Sequence, residues 1–312
     1  MSMEYSSSRM FALTLAHRAV EDVKKDGFRQ LRNYVDMCAV LANTPMQHSF
    51  FERAQEILVK TSSLYYSLIS RLATSVDEDH LCTVGINLGL GGLVYGAGRQ
   101  KLQAEKDGKP FSWVVTALSE DEGLEPAVTA AEAAGTYVWT LYAKSGLHGE
   151  ICRLAKKHPM SVFFAVMEPA DIDDACCARL QKVDNVVPVL HMAAPESTEE
   201  AFTAADRMRC ARLFYGFLVE VDDDTVDVAM QAEWLDVLAQ HVQICVYARK
   251  RGMAPAKAET LKENIYRSRT EPGVPLVLLD WDNDVEELNR HISPCAVRGT
   301  RIPAGVVTPI NA

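Results

Sequence analysis

Residues 137–167 read YVWTLYAKSGLHGEICRLAKKHPMSVFFAVM, and this stretch contains the unit from which the fold is predicted. It begins with an apolar run at 137–143, continues through a charged segment with helical spacing at 148–157, and ends with a second apolar run at 161–167. Continuous apolar runs of this length are typical of strands buried on both faces. A helix between two such strands indicates a parallel βα unit.

The same alternation extends over most of the chain. Eight apolar runs are predicted as strands, at 81–88, 111–118, 137–143, 161–167, 186–190, 213–221, 242–248 and 274–280. Helices are predicted between them at 95–106, 124–134, 148–157, 172–181, 199–210, 226–240 and 255–266. Because crossovers between parallel strands are right-handed, the pattern predicts an α/β fold, a (βα) partial or full TIM-type barrel of parallel strands.

The first eighty residues show no strand pattern. Apolar residues recur at helical spacing over 9–41, Thr44 and Pro45 form a helix-start signal, and a further helix is predicted over 62–73. We therefore predict an all-helical N-terminal extension over 1–78 and a barrel domain over 79–312. The extension is a candidate surface for a protein partner.

Composition excludes several classes of partner. The chain has 312 residues, 48% of them hydrophobic, and a net charge of −10, which repels nucleic acid and anionic membranes. The uncharged stretch 81–98 contains six glycines and Asn87, so we predict no membrane span there. Eight cysteines without a CxxC pair, and no export signal at the N-terminus, predict a cytoplasmic protein with reduced thiols.

Parallel strands place their C-terminal ends at one rim, where barrel enzymes hold their sites. After the first predicted strand come Gly89, Gly91 and Gly92, whose backbone amides can approach a phosphate or carboxylate in a loop. Glu120 or Asp121, after the second strand, would accept a ribose hydroxyl. This combination also fits a Rossmann-like S-adenosylmethionine or nucleotide site, and equally a tight turn formed for packing.

Charged residues follow the later strands as well. Arg249 and Arg251 are candidate phosphate ligands, because barrels bind phosphate near their last loops. Asp280, Asp282 and Asp284 would share one side of an extended chain and could hold Mg²⁺ or Ca²⁺. Glu168 and residues 222–224 are acid or metal-ligand candidates by position, and His191 also lies at the predicted rim.

The C-terminal part of the chain resembles the radical S-adenosylmethionine family. Asp280-Trp281-Asp282-Asn283-Asp284 is similar to its DFWNDG-like segment, Cys295-Ala296-Val297-Arg298 to its C-x-A-G-R stretch, and Gly305 to Ile310 to its G-x-V-x-P-C stretch. Lys144 stands in the segment where that family has a strand ending in T-N-G, and is a cofactor-binding candidate. Residues 111–119 stand where the family has its glycine-rich, S-adenosylmethionine-contacting strand, so the resemblance implies that ligand.

The chain departs from this family at the cluster ligands. A [4Fe–4S] cluster needs thiolates, which the family supplies from C-x-x-x-C-x-x-C after the first strand. This chain has only Cys82 there, and the last cysteine of the G-x-V-x-P-C stretch is Ile310. Cys295 alone remains of that set, so we expect no iron–sulfur cluster and no radical chemistry.

Three functions remain open from the sequence. The first is a non-radical ligand-binding protein with an accessory or regulatory role, whose barrel pocket takes S-adenosylmethionine, a peptide or another small ligand. The second is an enzyme that re-uses Glu120, Asp121, Asp280 and Asp282 around a divalent cation. The third is a structural protein that binds a partner through its N-terminal helices.

Overall fold

The computed structural model describes residues 3–26, 28–40, 45–60, 63–107, 112–120, 122–146, 148–196, 198–270, 273–292, 300–302 and 308–309. Its centre is a sheet of seven parallel strands in sequence order: β1 (Val114–Leu118), β2 (Val138–Tyr142), β3 (Val162–Met167), β4 (Val186–Met192), β5 (Gly216–Val221), β6 (Ile244–Arg249) and β7 (Val277–Asp280). The short β8 (Thr300–Ile302) pairs with β1 in parallel, and β9 (Thr308–Pro309) pairs with β8 in antiparallel. The sheet curls into a half-barrel, so the predicted α/β partial barrel is confirmed.

Helices cover the outer face of the half-barrel. They are α7 (Leu124–Ala134), α8 (His148–Lys157), α9 (Asp174–Leu180), α10 (Glu199–Cys210), α11 (Val226–Ala229), α12 (Ala232–His241) and α13 (Pro255–Thr270). Large side chains from alternate strand positions, among them Trp139, Phe163, Phe217 and Tyr247, are completely buried beneath them. After β7, α14 (Trp281–Ile292) contacts β6 and β7.

The N-terminal helices are α1 (Met3–Asp26), α2 (Arg29–Val40), α3 (Pro45–Val59) and α4 (Leu64–Ser75), as the sequence predicts in type. Two contacts connect the end of this region to the barrel. The guanidinium of Arg71 in α4 donates to the carbonyl oxygens of Ala239 and Pro275, and the backbone N–H of Asp77 donates to Arg212. Helix α4 and the turn after it therefore contact the segments that precede β5, β6 and β7, and the predicted boundary at residue 78 stays a prediction.

The prediction of a strand at 81–88 is wrong, because this segment is helical. It forms α5 (Glu78–Ile86), which continues through a π-helical stretch (Asn87–Gly96) into α6 (Ala97–Asp107). The carboxylate of Asp77 caps α5 by accepting from the backbone N–H groups of Asp79 and His80. The buried residues His80, Val84, Asn87 and Gly91 also follow helical spacing, so the barrel begins at Val114 with seven strands instead of eight.

This long helix crosses the N-terminal ends of the strands. The amide of Asn87 donates to the carbonyl oxygens of Pro159 and Ser161, just before β3, at 2.9 and 3.3 Å. Val84 packs in a buried cluster with Val162 and Val187 of β3 and β4. By length and composition Glu78–Lys106 could also cross a membrane, with 39% of its most apolar window buried in the structure.

His80 makes the stability of this helix contact dependent on pH. Its side chain is buried, and the loss of solvent lowers its pKa from 6.5 to about 4. At pH values between about 4 and 6.5, His80 binds a proton in the unfolded chain but not in the folded chain. The free energy of unfolding therefore falls as pH falls from about 6.5 towards 4. We expect this residue to account for about 3 kcal/mol of that loss.

The measurement is urea unfolding of the wild type and of His80→Gln at several pH values in this interval. The substitution should make the free energy of unfolding fall less steeply with acidification. Exposed His48 supplies the control, since His48→Gln should leave the slope unchanged. Parallel curves for the wild type and His80→Gln would contradict the assignment.

Candidate functional site at the rim of the half-barrel

The inner face of the half-barrel has an apolar floor. Val166, Val189 and Leu218, on β3, β4 and β5, are buried together on the face turned away from helices α7 to α13, where Phe164 and Ala248 pack against them. Residues two positions further along a strand point to the same face. The strands therefore place the side chains of residues 168, 191 and 220 side by side above this floor.

Those three side chains form a cluster of two carboxylates about one imidazole. Nδ1 of His191 lies 2.8 Å from Oε1 of Glu168, and Nε2 lies 3.2 Å from Oε1 of Glu220. Exposed fractions of 61% for Glu168 and 38% for Glu220 leave both carboxylates accessible to a ligand at the open rim.

Sequence reasoning found this cluster only in part. The sequence predicts Glu168 and His191 at the rim, whereas Glu220 lies inside the predicted strand 213–221. The signal was present, because Val166, Val189 and Leu218 each precede one of the three polar residues by two positions. Pairing these positions across β3, β4 and β5 requires the strand register.

A second polar pair follows β1 and β2. Nζ of Lys144 lies 2.7 Å from Oε2 of Glu120, and the backbone N–H of Lys144 donates to the hydroxyl of Ser119 at 3.0 Å. The structure thus brings together two predicted site residues from neighbouring strand ends. The third residue predicted there, Asp121, lies outside the described residues.

Another polar group at the rim joins Ser145 and His148, after β2, to Asp171, after β3. The hydroxyl of Ser145 donates to Oδ1 of Asp171 at 2.6 Å, and Nε2 of His148 lies 3.6 Å from the other carboxylate oxygen. Burial lowers the pKa of His148. Because the serine donates to the aspartate and not to the histidine, this is not the arrangement that activates a serine nucleophile.

The predicted glycine site is not part of this rim. Gly89, Gly91 and Gly92 lie in the π-helical stretch at the opposite ends of the strands, so the premise of a loop after a strand is wrong. A Cβ atom at Gly92 would lie 3.2 Å from Nε1 of Trp113 and from a methyl group of Val138. Gly92 thus packs closely against these side chains, whereas Gly89 has open space beside it.

The two arginines predicted as phosphate ligands, Arg249 and Arg251, have different surroundings in the structure. Arg249, at the end of β6, forms an ion pair with the completely buried Asp280, at the end of β7. Burial raises the pKa of Asp280, and the guanidinium of Arg249 opposes this effect. Arg251 is exposed in the following turn.

The three aspartates predicted as metal ligands do not converge. The premise of an extended chain is wrong, because Asp282 and Asp284 lie in the first turn of α14. Asp284 accepts from the guanidinium of Arg269 and, at 2.8 Å, from the backbone N–H of Asp280. In the part of the chain that the structure describes, no group of three His, Cys, Asp or Glu side chains could hold a metal ion.

Asp222, after β5, is held as a carboxylate. Hydrogen bonds from Thr225 and from Lys250 lower its pKa to about 2. Its Oδ1 atom accepts from the hydroxyl and the backbone N–H of Thr225 at 2.7 and 3.0 Å. This geometry is that of a turn-forming residue, and a carboxyl group with so low a pKa is a poor general acid near neutral pH.

No protein-family model matches the sequence, and no curated protein does. Solved structures that are similar to this chain include two of SuiB from Streptococcus suis. The crystal structure of SuiB bound to S-adenosylmethionine has 10% identity and a TM-score of 0.47, and the similarity covers 70% of this chain and 65% of that chain. A second SuiB structure has 10% identity, a TM-score of 0.45, and coverage of 70% and 64%. The chain thus spans less than two thirds of either SuiB chain.

Proposed function

We propose that this chain is a non-radical binding protein that takes S-adenosylmethionine, or a related small cationic ligand, on the inner rim of the half-barrel. The observation that supports this most directly is His191 between Glu168 and Glu220, above a floor of buried aliphatic side chains. Ligand sites commonly combine an apolar surface with a few convergent polar groups.

The donor set fits the chemistry of such a ligand. The buried side chains of Val166, Val189 and Leu218 give the ligand site an apolar base below the polar cluster. The accessible carboxylates of Glu168 and Glu220 would attract a sulfonium or ammonium group through charge. Lys144 and Glu120, at the neighbouring strand ends, would bind a carboxylate and a hydroxyl group.

The position of Cys82 does not fit an iron–sulfur cluster at this rim. Cys82, the cysteine that the sequence resemblance would assign to the cluster, is buried in α5 at the N-terminal ends of the strands. Burial, with the nearby charges of Glu78 and Asp79, raises the pKa of its thiol to about 12, whereas cluster ligands must be thiolates. Cys295 lies outside the described residues.

An accessory or regulatory role also needs a surface for a protein partner. Helices α1 to α3 expose the large apolar side chains of Phe11, Val40, Phe50 and Val59, which are 61%, 85%, 61% and 67% exposed. These exposed side chains are the observation from which we propose partner binding by the N-terminal helices. We propose this role alongside ligand binding at the rim.

Calorimetric titration with S-adenosylmethionine tests the proposal. We expect saturable binding at one site per chain, weaker by at least about tenfold in Glu220→Gln because a charge-assisted contact is worth roughly 1.5–3 kcal/mol. S-adenosylhomocysteine, which lacks the sulfonium charge, should bind more weakly than S-adenosylmethionine to the wild type.

Glu56→Gln is the matched control, since Glu56 is a surface carboxylate paired with Arg53 in α3. This variant should bind like the wild type. Absence of heat with both adenosyl compounds, or equal affinity in Glu220→Gln, would refute the assignment of the ligand to this rim. Stoichiometric iron and sulfide after anaerobic reconstitution would refute the non-radical part.

A further inference from the structure

An apolar cavity, remote from the rim, lies between the N-terminal helices and α5. Its volume is about 310 Å³, and its walls come from α1, α2, α4 and α5. All of the residues that line it are Ala, Val, Leu, Ile, Gly or Cys, with Val20, Leu31, Ile69 and Leu81 as large members. The walls therefore offer no charged side chain.

The cavity lies where two apolar clusters meet. Val23 and Ala73 in its wall belong to the buried cluster of the N-terminal helices. Leu72 and Leu81 in its wall pack instead against the cluster that α5 forms with β3 and β4. The N-terminal helices and the barrel thus leave an apolar gap at their junction.

One side of the cavity opens to solvent at Gly85 of α5. This residue is exposed, and a Cβ atom added to it would meet no atom within 4 Å. A larger side chain here has room to occupy the opening. Gly98 of α6 is likewise exposed with open space at its Cβ position, but it does not line the cavity.

The physical chemistry of such a space selects the ligand. In another protein, an engineered apolar cavity of about 150 Å³ stays free of water and binds benzene or xenon. Ligand pockets generally have volumes of about 300–1,000 Å³. The thiol of Cys82 is the most polar side chain in this wall, and burial raises its pKa to about 12, so it presents an uncharged S–H group.

We propose that this cavity binds an uncharged apolar small molecule of the size of a few fused or linked rings, independently of the rim site. Such a ligand would fill the junction between α1, α4 and α5 and hold the N-terminal helices against the barrel. Its binding free energy would come from the burial of apolar surface.

Fluorescence titration of the full chain with N-phenyl-1-naphthylamine, an uncharged apolar probe, tests the proposal. We expect one saturable site per chain in the wild type and at least a tenfold loss of affinity in Gly85→Leu. Gly98→Leu changes helix propensity as much as Gly85→Leu does. It should nevertheless bind the probe like the wild type, because Gly98 does not line the cavity. Glu220→Gln should also leave probe binding unchanged, which separates this cavity from the rim.

A second variant makes the test independent of the folding of Gly85→Leu. Ala19→Phe fills the cavity from α1, on another wall, and should lower probe affinity in the same way. The proposal is overturned if the wild type shows no saturable fluorescence increase. It is equally overturned if every cavity variant that folds, as judged by circular dichroism, binds the probe as tightly as the wild type.

Discussion

Replacement of Gly96 by alanine should lower the free energy of unfolding by about 3 kcal/mol, the upper part of the range for overpacked sites. A Cβ atom at Gly96 would lie 2.4 Å from the carbonyl oxygen of Gly135 and 2.9 Å from that of Gly91. These neighbours are backbone atoms, which cannot rotate away as a flexible side chain can. The helix would have to move off the strand ends, and the packing around Val138 would be lost with it.

Gly89→Ala is the matched control within the same π-helical stretch. A Cβ atom there meets nothing within 4 Å, so alanine should raise the free energy of unfolding by about 0.5–1 kcal/mol through helix propensity. Urea unfolding followed by circular dichroism measures both variants. Equal stability of Gly96→Ala and the wild type would show that the helix does not approach Gly135 as closely as described.

The largest electrostatic effect is expected from Arg249→Met, which should lower the free energy of unfolding by about 3–5 kcal/mol. Asp280 is completely buried, and its carboxylate forms an ion pair with the guanidinium of Arg249 at the neighbouring strand end. Removal of the guanidinium leaves a carboxylate that must either remain unpaired in the interior or take up a proton. The desolvation cost of the unpaired charge exceeds the packing that methionine restores.

Arg251→Met is the control, because Arg251 is exposed two residues further along and its replacement should change stability by less than about 0.5 kcal/mol. The double variant Arg249→Met, Asp280→Asn should recover part of the loss, since it removes the buried charge as well. Thermal and urea unfolding of the wild type, Arg249→Met, Asp280→Asn and the double variant complete a double-mutant cycle. If Arg249→Met and Arg251→Met were equally stable, the buried ion pair would not have the importance assigned to it.

The sequence predicted the seven strands after residue 111 because each is a continuous apolar run between helices of ordinary length. In three cases, 124–134, 148–157 and 199–210, the predicted helix bounds equal those of α7, α8 and α10. The first predicted strand failed for an identifiable reason. A short apolar run is ambiguous between strand and helix, and the Asp77 cap with buried positions at 80, 84, 87 and 91 is a helix signal.

The candidate site was predictable only as a set of strand ends. Lys144 and Glu120 were both selected from the sequence, and their contact confirms the inference that consecutive parallel strands share one rim. The pairing of Asp280 with Arg249 was not predicted, because the sequence cannot show that Asp280 is buried and therefore needs a positive partner. Helix α14 also separates the three predicted metal ligands: Asp280 accepts from the backbone N–H of Asn283 and pairs with Arg249, and Asp284 pairs with Arg269.

The order and type of the elements from Val114 to Asp280 follow from the amino-acid sequence alone, since local apolar periodicity and turn residues specify strands and helices. The sequence also shows that no three cysteines have the spacing of a cluster site. Which side chains meet depends on the three-dimensional packing: His191 meets Glu168 and Glu220, and four helices surround the apolar cavity. Such contacts depend on strand register and on helix packing across long sequence separations, and these are fixed by the whole core and not by any local segment.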